Sequence, residues 1–309
     1  MKGQRVVPPL RRLRAAGWVL AWAVVGGTQD APTPGPLTLQ RFAYPGPVAG
    51  VVARVDLRDP RVEVKLVLAD ESAAGTPGCT GRLEVPSAVA RRHGFAAAIN
   101  ASYFRAEAKE VAGRKVPYFV GNCGTPVGWH VSEGRIRTRP SEATIQATLV
   151  VHLGGRVTMH RRLEQMPPDA RCAVSGNSMA LADGLVAVEP GGPRHPRTAV
   201  GLSRDGATLL LVAVDGRQDH SRGVTLAELG ELMKGLGAHQ AINLDGGGSS
   251  ALVLQDPASG VHAVANRPSE RSADYPGLPL ERPVVDVLGV RIQDPVPAPG
   301  PRRERPAER

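Results

Sequence analysis

The sequence has few aromatic side chains and few cysteines. Phe, Tyr and Trp make up 4% of the 309 residues, so Val, Leu, Ala and Ile must build most of the core. Cys79, Cys123 and Cys172 are too few for more than one disulfide bond and show no C-x-x-C spacing, which argues against a structural zinc site. The glycine-rich sequence around Cys79 and Cys123 favours a bridge between these two.

The sequence also lacks a basic stripe, although its formal net charge is +9. Residues 1–14 contribute +5 and residues 294–309 contribute +1, which leaves only +3 for the long stretch between them. No basic cluster is interleaved with aromatic residues, as would be expected of a nucleic-acid-binding surface. The charge pattern therefore predicts no nucleic-acid partner.

No apolar run is long enough to cross a membrane. The longest one, residues 15–27, follows five basic residues and falls short of the roughly 20 residues that a spanning helix needs. This arrangement is typical of an export signal, although an uncleaved N-terminal anchor or a buried helix would give the same pattern. We expect a signal or anchor at 1–27, a linker at 28–36, one domain at 37–293 and a disordered tail at 294–309, in an extracellular, periplasmic or cell-envelope protein.

Hydrophobic patterning predicts a single α+β domain with a mixed, twisted sheet and a few packed helices. Strands are expected at 48–57, 62–68, 95–99, 208–214, 241–244, 251–254 and 284–292. A helix is expected over 85–93, closed by Gly94, and a second one after the capping box formed by Thr225 and Glu228. Residues 105–140 are rich in glycine and polar side chains, and predict a long loop region.

The most unusual segment is Asp245-Gly-Gly-Gly-Ser-Ser250, which directly follows a short apolar strand. Three consecutive glycines cost backbone entropy, so a specific contact must require them. The amides of Gly246, Gly247 and Gly248 and the hydroxyls of Ser249 and Ser250 could bind an anion beside the Asp245 carboxylate. A glycine-rich turn capped by Asp245 is the alternative. The patterns of a nucleotide P-loop and of a serine-esterase elbow are absent.

Several ordered motifs resemble the phosphodiester glycosidase family over residues 45–292. They are NASYF (100–104), PRTAVG (196–201), VDGRQ (214–218), GVTLAEL (223–229), INLDGGGSS (242–250) and NRPS (266–269). The resemblance implies hydrolysis of a sugar-1-phosphodiester at the anomeric carbon, with release of free sugar and a phosphomonoester. Segments 76–81 and 109–129 are longer than the shared motifs suggest, and we expect them to wall the substrate cleft.

The chemistry implied by the resemblance assigns roles to particular residues. A phosphodiester is an anion and is suited to guanidinium binding, which Arg197 and Arg217 could supply. An oxocarbenium-like transition state needs a carboxylate near the sugar ring, for which Asp245 is the first candidate and Asp215 the second. Asn100 and Asn266 could bind the substrate.

Each of these roles has a structural alternative. Asp215 could shape a turn, Arg197 could brace the glycine loop through a carboxylate, Asn100 could be a structural amide, and Asn266 could cap a turn. The histidines 130, 152, 160 and 195 show no visible partner, and a structural role is the default for each.

Two other functions fit the same residues. One is a non-catalytic carbohydrate- or polymer-binding module, and the other is a phosphodiesterase that breaks the P–O bond. No cofactor is required by the motifs. Asp and Asn side chains with loop carbonyls could hold a calcium ion, but no recognised calcium loop is present.

Overall fold

Seven antiparallel strands form the largest sheet of the protein. The computed structural model describes residues 35–293 apart from 74, 75, 77, 112, 142–146 and 272–278. Strands are numbered in chain order, and those of this sheet lie side by side as β1 (Leu37–Tyr44), β2 (Val48–Asp56), β18 (Thr208–Val214), β17 (Arg197–Leu202), β19 (Gln240–Asn243), β15 (Ser178–Ala182) and β16 (Leu185–Val186).

Two five-stranded sheets lie against this large sheet. The first contains β21 (His262–Val264), β20 (Leu252–Gln255), β5 (Ala97–Asn100), β24 (Asp286–Ile292) and β3 (Val62–Leu68). The second contains β11 (Arg135–Thr138), β10 (His130–Ser132), β14 (Ala170–Gly176), β12 (Ala147–His152) and β13 (Val157–His160). Residues from all three sheets share one hydrophobic cluster, which is the main core.

Strand β18 shows why the sequences of the central strands are continuous apolar runs. Leu209 and Leu211 point into the main core, whereas Leu210 and Val212 point to the opposite face. Successive side chains of a strand alternate between faces, so a strand that is covered on both sides is apolar at every position. The covering element on the second face is a helix.

Two α-helices are present among the described residues, and both lie where the sequence predicts them. Helix α1 (Pro86–His93) is closed by Gly94, whose φ of 61° lies in the left-handed region. Helix α2 (Leu226–Gly235) begins with the predicted capping box of Thr225 and Glu228. Helix α2 packs on the outer face of the seven-stranded sheet, and α1 packs on the outer face of the first five-stranded sheet.

The prediction of a long loop region over 105–140 is wrong. This stretch contributes β10 and β11 and most of the short strands of two small sheets: β4 (Gly81–Arg82), β9 (Cys123–Pro126) and β6 (Phe104–Ala106) in one, β7 (Lys109–Val111) and β8 (Arg114–Val116) in the other. These strands have two to four residues each, which is too short for hydrophobic alternation to show. Their pairing partners define them.

The fold is a single domain, but strands dominate it. Strands account for 47% of the residues that the structure describes, where only two α-helices accompany them, so the architecture is mostly β rather than an even α+β mixture. All strand pairings among the described residues are antiparallel, and they form several sheets where the sequence predicted one mixed sheet. The one remaining pair is β22 (Glu270–Arg271) with β23 (Pro279–Leu280).

The predicted ends of the chain fall outside the described residues. Three assignments therefore stay predictions: the signal or anchor at 1–27, the linker at 28–36 except for residues 35 and 36, and the tail at 294–309. Among the described residues, no helix is long and apolar enough to cross a membrane.

The expected disulfide bond is present. Cys79 and Cys123 are bridged with a Cα–Cα distance of 5.2 Å, which joins the segment before β4 to the start of β9. Cys172 is a free thiol buried in the main core. Burial raises its pKa to about 12, so it stays protonated and unreactive.

Candidate active site

The backbone of Asp245 is held by the ends of strands from two different sheets. Strand β19 of the seven-stranded sheet delivers Leu244 and Asp245. The Asp245 amide donates to the carbonyl of Ala101, 3.1 Å away, just after β5 of the first five-stranded sheet. The Asn100 side chain donates to the Asp245 carbonyl over 2.7 Å. The two sheets therefore fix this residue together.

Asn100 acts within the protein as a three-way bridge. Besides its bond to Asp245, its carbonyl oxygen accepts from the Thr198 hydroxyl at 2.8 Å and from the Ala251 amide at 3.1 Å. The residue is fully buried. These contacts favour the structural alternative, in which Asn100 positions the glycine loop, and its role in substrate binding stays an untested prediction.

The middle and last glycines of the loop are needed for different reasons. Gly247 has a φ of 64°, a left-handed conformation that side chains disfavour. Gly248 packs beneath a partly buried ion pair, where an added Cβ would lie 2.3 Å from both Arg282 Nη2 and Glu270 Oε2. Glycine is thus needed at 247 for the turn and at 248 for the close contact with Arg282 and Glu270.

The loop uses some of its own amides to fold. The Gly247 amide donates to the Pro196 carbonyl at 2.9 Å, the Ser249 amide to Gly246 at 3.2 Å, and the Ser250 amide to Gly247 at 3.3 Å. Of the three glycine amides that were expected to bind an anion, the Gly247 amide is therefore already used within the protein.

Two hydroxyls of the loop and an amide oxygen before it are buried. Ser249 Oγ, Ser250 Oγ and Asn243 Oδ1 have no hydrogen bond of regular geometry to a described residue. Buried polar atoms are normally satisfied, so these three are candidates for contact with a bound polar molecule. The Ser249 hydroxyl is nevertheless close enough to Asp245 to lower the pKa of that carboxyl.

The Asp245 side chain is half-buried and its acidity is perturbed. Burial raises its pKa to about 6, and the nearby negative charge of Asp286 acts in the same direction. The Ser249 hydroxyl, the Arg282 guanidinium and the Gly246 amide oppose the shift but do not cancel it. A carboxyl that titrates near neutrality can exchange protons with a substrate at ordinary pH.

Tyr103 lies beside Asp245, although sequence analysis assigned it no role. Its hydroxyl accepts a hydrogen bond from Asn243 Nδ2 at 2.8 Å, which leaves its proton free to be donated. Burial and the charge of Asp245 raise the Tyr103 pKa to about 12, so the hydroxyl stays protonated. Its place in the NASYF segment, three residues after Asn100, was the signal available in the sequence.

A buried Asp286–His130 pair lies behind Asp245 and was also missed. Both side chains are fully buried, and His130 Nδ1 lies 2.8 Å from Asp286 Oδ2. The Ser102 amide donates to the other carboxylate oxygen over 2.8 Å. His130 Nε2 has no described partner. The only sequence signal was an acid within the apolar run at 284–290.

Arg282 connects the glycine loop to the wall of the site. Its Nε donates to Glu270 at 2.9 Å, and its guanidinium lies 4.2 Å from the centroid of the Tyr118 ring. The same guanidinium covers Gly248 and lowers the pKa of Asp245. Arg282 therefore stabilises the loop and adjusts the acidity of its carboxyl.

Arg197 and Arg217 form a positive patch at the glycine loop. Arg197 is half-buried and donates to the carbonyls of Val224 and Pro193 at 3.1 and 3.2 Å. The Arg217 guanidinium lies 3.4 Å from the position that a Cβ on Gly247 would take. Burial lowers the pKa of Arg197, and the charge of Arg217 lowers it further. Neither arginine forms an ion pair with a described carboxylate, so the patch is suited to an added anion.

Asp215 and Asn266 brace the strand that follows the loop. Asp215 Oδ1 accepts from the Arg267 amide at 2.8 Å and from Asn266 at 3.2 Å, while Oδ2 lies 3.1 Å from His220 Nε2. Asn266 in turn donates to the Ser250 carbonyl and accepts from the Leu252 amide. These contacts favour the structural alternatives for both residues.

The described residues contain no group of three or more His, Cys, Asp or Glu side chains placed to hold a metal ion. The calcium hypothesis therefore rests on the residue types alone.

The antiparallel fold and the loop of residues 245–250 agree with a family assignment made by comparison. The sequence profile of the phosphodiester glycosidase family matches residues 93–291, which is more than half of the chain. The chain belongs to this family.

Curated relatives match over shorter segments. The mouse N-acetylglucosamine-1-phosphodiester alpha-N-acetylglucosaminidase is 41% identical over 78 residues, which cover 25% of this chain and 14% of that protein. A prophage-derived protein of Bacillus subtilis is 36% identical over 101 residues, or 33% of this chain and 13% of the relative. The matches thus span about a seventh of each relative's length.

Solved structures share the fold over most of the chain. The catalytic domain of the zebrafish N-acetylglucosamine-1-phosphodiester alpha-N-acetylglucosaminidase aligns with a TM-score of 0.59 at 21% identity, covering 88% of this chain and 87% of that one. A putative exported protein of Burkholderia pseudomallei aligns with a TM-score of 0.54 at 17% identity, covering 79% and 74%. At these identities the likeness concerns the fold.

Proposed function

We propose that this protein hydrolyses a sugar-1-phosphodiester at the anomeric carbon. Water would supply the oxygen that joins this carbon, the bond from the carbon to the phosphate oxygen would break, and a free sugar and a phosphomonoester would result. Membership of the phosphodiester glycosidase family supports the reaction class. The observation that carries the proposal is a half-buried carboxyl with a pKa of about 6 at the start of a glycine loop that contacts Arg197 at Gly246 and Arg217 at Gly247.

In this proposal the arginines bind the substrate phosphate. Arg197 and Arg217 lie on the Gly247 side of the loop, and guanidinium groups bind phosphate oxygens with two parallel hydrogen bonds. The buried hydroxyls of Ser249 and Ser250 are suited to donate to the same group or to the sugar. Both contacts would orient the scissile bond before any chemistry.

Asp245 then acts in its ionised form. A carboxylate beside the ring stabilises the positive charge that develops at the anomeric carbon, or attacks that carbon directly. The departing phosphate monoester is a weak base, so strong acid catalysis is less necessary than for an ordinary glycoside. The Tyr103 hydroxyl, which stays protonated, is placed to donate a hydrogen bond near the same carboxylate.

Hydrolysis in water enriched in heavy oxygen tests the reaction directly. We expect the label in the released sugar, because the proposed step breaks the carbon–oxygen bond. Label in the phosphate would replace this proposal with P–O cleavage. No turnover of any sugar-1-phosphodiester, together with binding that survives Asp245→Asn, would instead identify a carbohydrate- or polymer-binding module.

We also propose that the protein is exported and acts outside the cytoplasm. The support is the basic and then apolar sequence at 1–27. Fractionation of cells that express the full chain, compared with a chain that lacks residues 1–27, tests this. Retention of both forms in the cytoplasm would contradict it.

A further inference from the structure

A second positive cleft lies outside the residues assigned to the reaction. It has a volume of about 470 Å³ and is lined by Arg105, Arg137 and Arg139 together with hydroxyls such as those of Thr80 and Thr125. Its described lining contains no Asp or Glu. We call it the arginine cleft.

The charge of the arginine cleft is only partly neutralised. Arg137 donates to the exposed Glu71 at 3.2 Å. Arg139 lies 5.3 Å from the centroid of the Trp129 ring, which orients its guanidinium without reducing its charge. Arg105 and Arg139 are exposed, and neither forms an ion pair with a described carboxylate. Two guanidiniums of this kind at a concave surface favour an anion.

The arginine cleft is connected to the active site through the chain itself. Arg105 follows Tyr103 by two residues, so their Cα atoms are at most about 7 Å apart. The Val127 amide, in the floor of the cleft, donates to the Tyr103 carbonyl at 2.7 Å. A substrate that contacts Tyr103 could therefore continue into the cleft.

The cleft is also built as a rigid unit. Cys79 of the Cys79–Cys123 disulfide lies in its wall, and the paired strands β9 and β6 contribute Thr125, Pro126 and Arg105 to its lining. The Thr138 hydroxyl donates to the Gly128 carbonyl at 2.7 Å, which ties the side bearing Arg137 and Arg139 to the floor. The arginines are thus presented on fixed backbone, which reduces the entropy lost on binding.

We propose that the arginine cleft binds a phosphate group of the substrate other than the one that is cleaved. The preferred substrate would then carry repeated phosphate groups, as in a sugar-phosphate polymer. The expected effect on kinetics rests on the proposed function. The anion site itself can be tested without turnover.

The kinetic test compares two substrates that share the same sugar-1-phosphodiester. One has an uncharged aglycone and the other has an aglycone that bears a second phosphodiester. For the doubly charged substrate, Arg105→Ala with Arg139→Ala should raise KM by about tenfold and leave kcat unchanged. The singly charged substrate should be unaffected. A matched control is Arg135→Ala with Arg162→Ala, which removes two exposed arginines outside the cleft lining.

The binding test uses inorganic tripolyphosphate and calorimetry on the same proteins and on Arg197→Ala with Arg217→Ala. The cleft variant should bind the probe about tenfold more weakly than the control variant. Equal binding by the cleft and control variants would overturn the inference. Weakened binding in the cleft variant without turnover of either substrate would retain the anion site and reject the proposed reaction.

Discussion

Asp245 and Asp215 occupy similar places in the sequence and different environments in the fold. Each follows a buried strand of the seven-stranded sheet, and each precedes a glycine. Asp215 has protein partners on both carboxylate oxygens. The carboxyl of Asp245 is instead desolvated so strongly that its pKa rises to about 6. The difference shows that a similar local sequence does not fix the environment of a carboxyl, because at Asp245 burial outweighs the stabilising contacts from Ser249, Arg282 and Gly246.

The largest effect should come from removing the charge of Asp245. Asp245→Asn is expected to lower kcat by about a thousandfold, because the carboxylate that faces the developing charge is lost. Single-turnover kinetics on a sugar-1-phosphodiester would measure it. Asp219→Asn, an exposed acid in the turn after Asp215, is the control. Similar rates in the two variants would remove Asp245 from the mechanism.

Loss of the positive patch should have the next largest effect. Arg197→Ala is expected to raise KM by about fiftyfold, because its charge-assisted bonds to phosphate are lost. Arg197→Lys should recover only part of this, since an ammonium cannot bind in the same forked geometry. Steady-state kinetics test both. An unchanged KM in Arg197→Ala would show that Arg197 does not bind the substrate and has only its structural bonds to the Val224 and Pro193 carbonyls.

Asp215→Ala should act on stability. The change leaves the Arg267 amide and the side chains of Asn266 and His220 without their acceptor, and should cost about 3 kcal/mol in the free energy of unfolding. The kcat of the folded protein should stay within about tenfold of the original. Urea denaturation and kinetics on the same samples check this, with Asp219→Ala as control. A large fall in kcat at unchanged stability would give Asp215 a catalytic role.

Asp245→Asn should stabilise the protein, whereas Asp215→Ala should destabilise it. Because its pKa of about 6 lies above the ordinary value of 3.8, the ionised carboxylate destabilises the native state above pH 6 and this cost disappears below about pH 4. The variant should therefore be more stable than the original by up to about 3 kcal/mol near neutral pH. This advantage should vanish as the pH falls. Denaturation at several pH values tests the trend, and a constant difference would contradict it.

The smallest effects should be shifts in pH dependence. If ionised Asp245 is required, kcat/KM of the original protein rises through a pH of about 6. Asp286→Asn removes a charge that raises the Asp245 pKa, and Arg282→Gln removes one that lowers it. The acidic limb of the profile should therefore move to lower pH in the first variant and to higher pH in the second. Shifts in the same direction would show that these residues act through structure alone.

Local features of the fold were predictable from the sequence because their causes are local. The Thr225–Glu228 capping box and the Gly94 cap lie within a few residues of the helices they bound. The strand before Asp245 was also recognisable, since its apolar residues are consecutive. The strands of 105–140 were not, because each is short and is defined by partners elsewhere in the chain.

The residues that support the candidate active site are distant from it in the sequence. Asp286 and His130 are 156 positions apart, and Asn100 and Asp245 are 145 apart. No spacing rule connects such pairs, so the sequence pointed to Asp245 as a candidate but not to the groups that perturb its acidity. Asp215 shows the reverse case: its motif looked catalytic, and its partners Asn266 and Arg267 became visible only in the fold.

Asp245 is attached to strand ends in two sheets, which makes the site difficult to transfer to another protein. A graft of residues 245–250 onto another scaffold would carry the acid, the turn and the hydroxyls. It would leave behind Asn100 and the Ala101 carbonyl, which hold the residue from the other side. A transplant of the site would therefore have to include parts of both sheets, because residues of each hold Asp245.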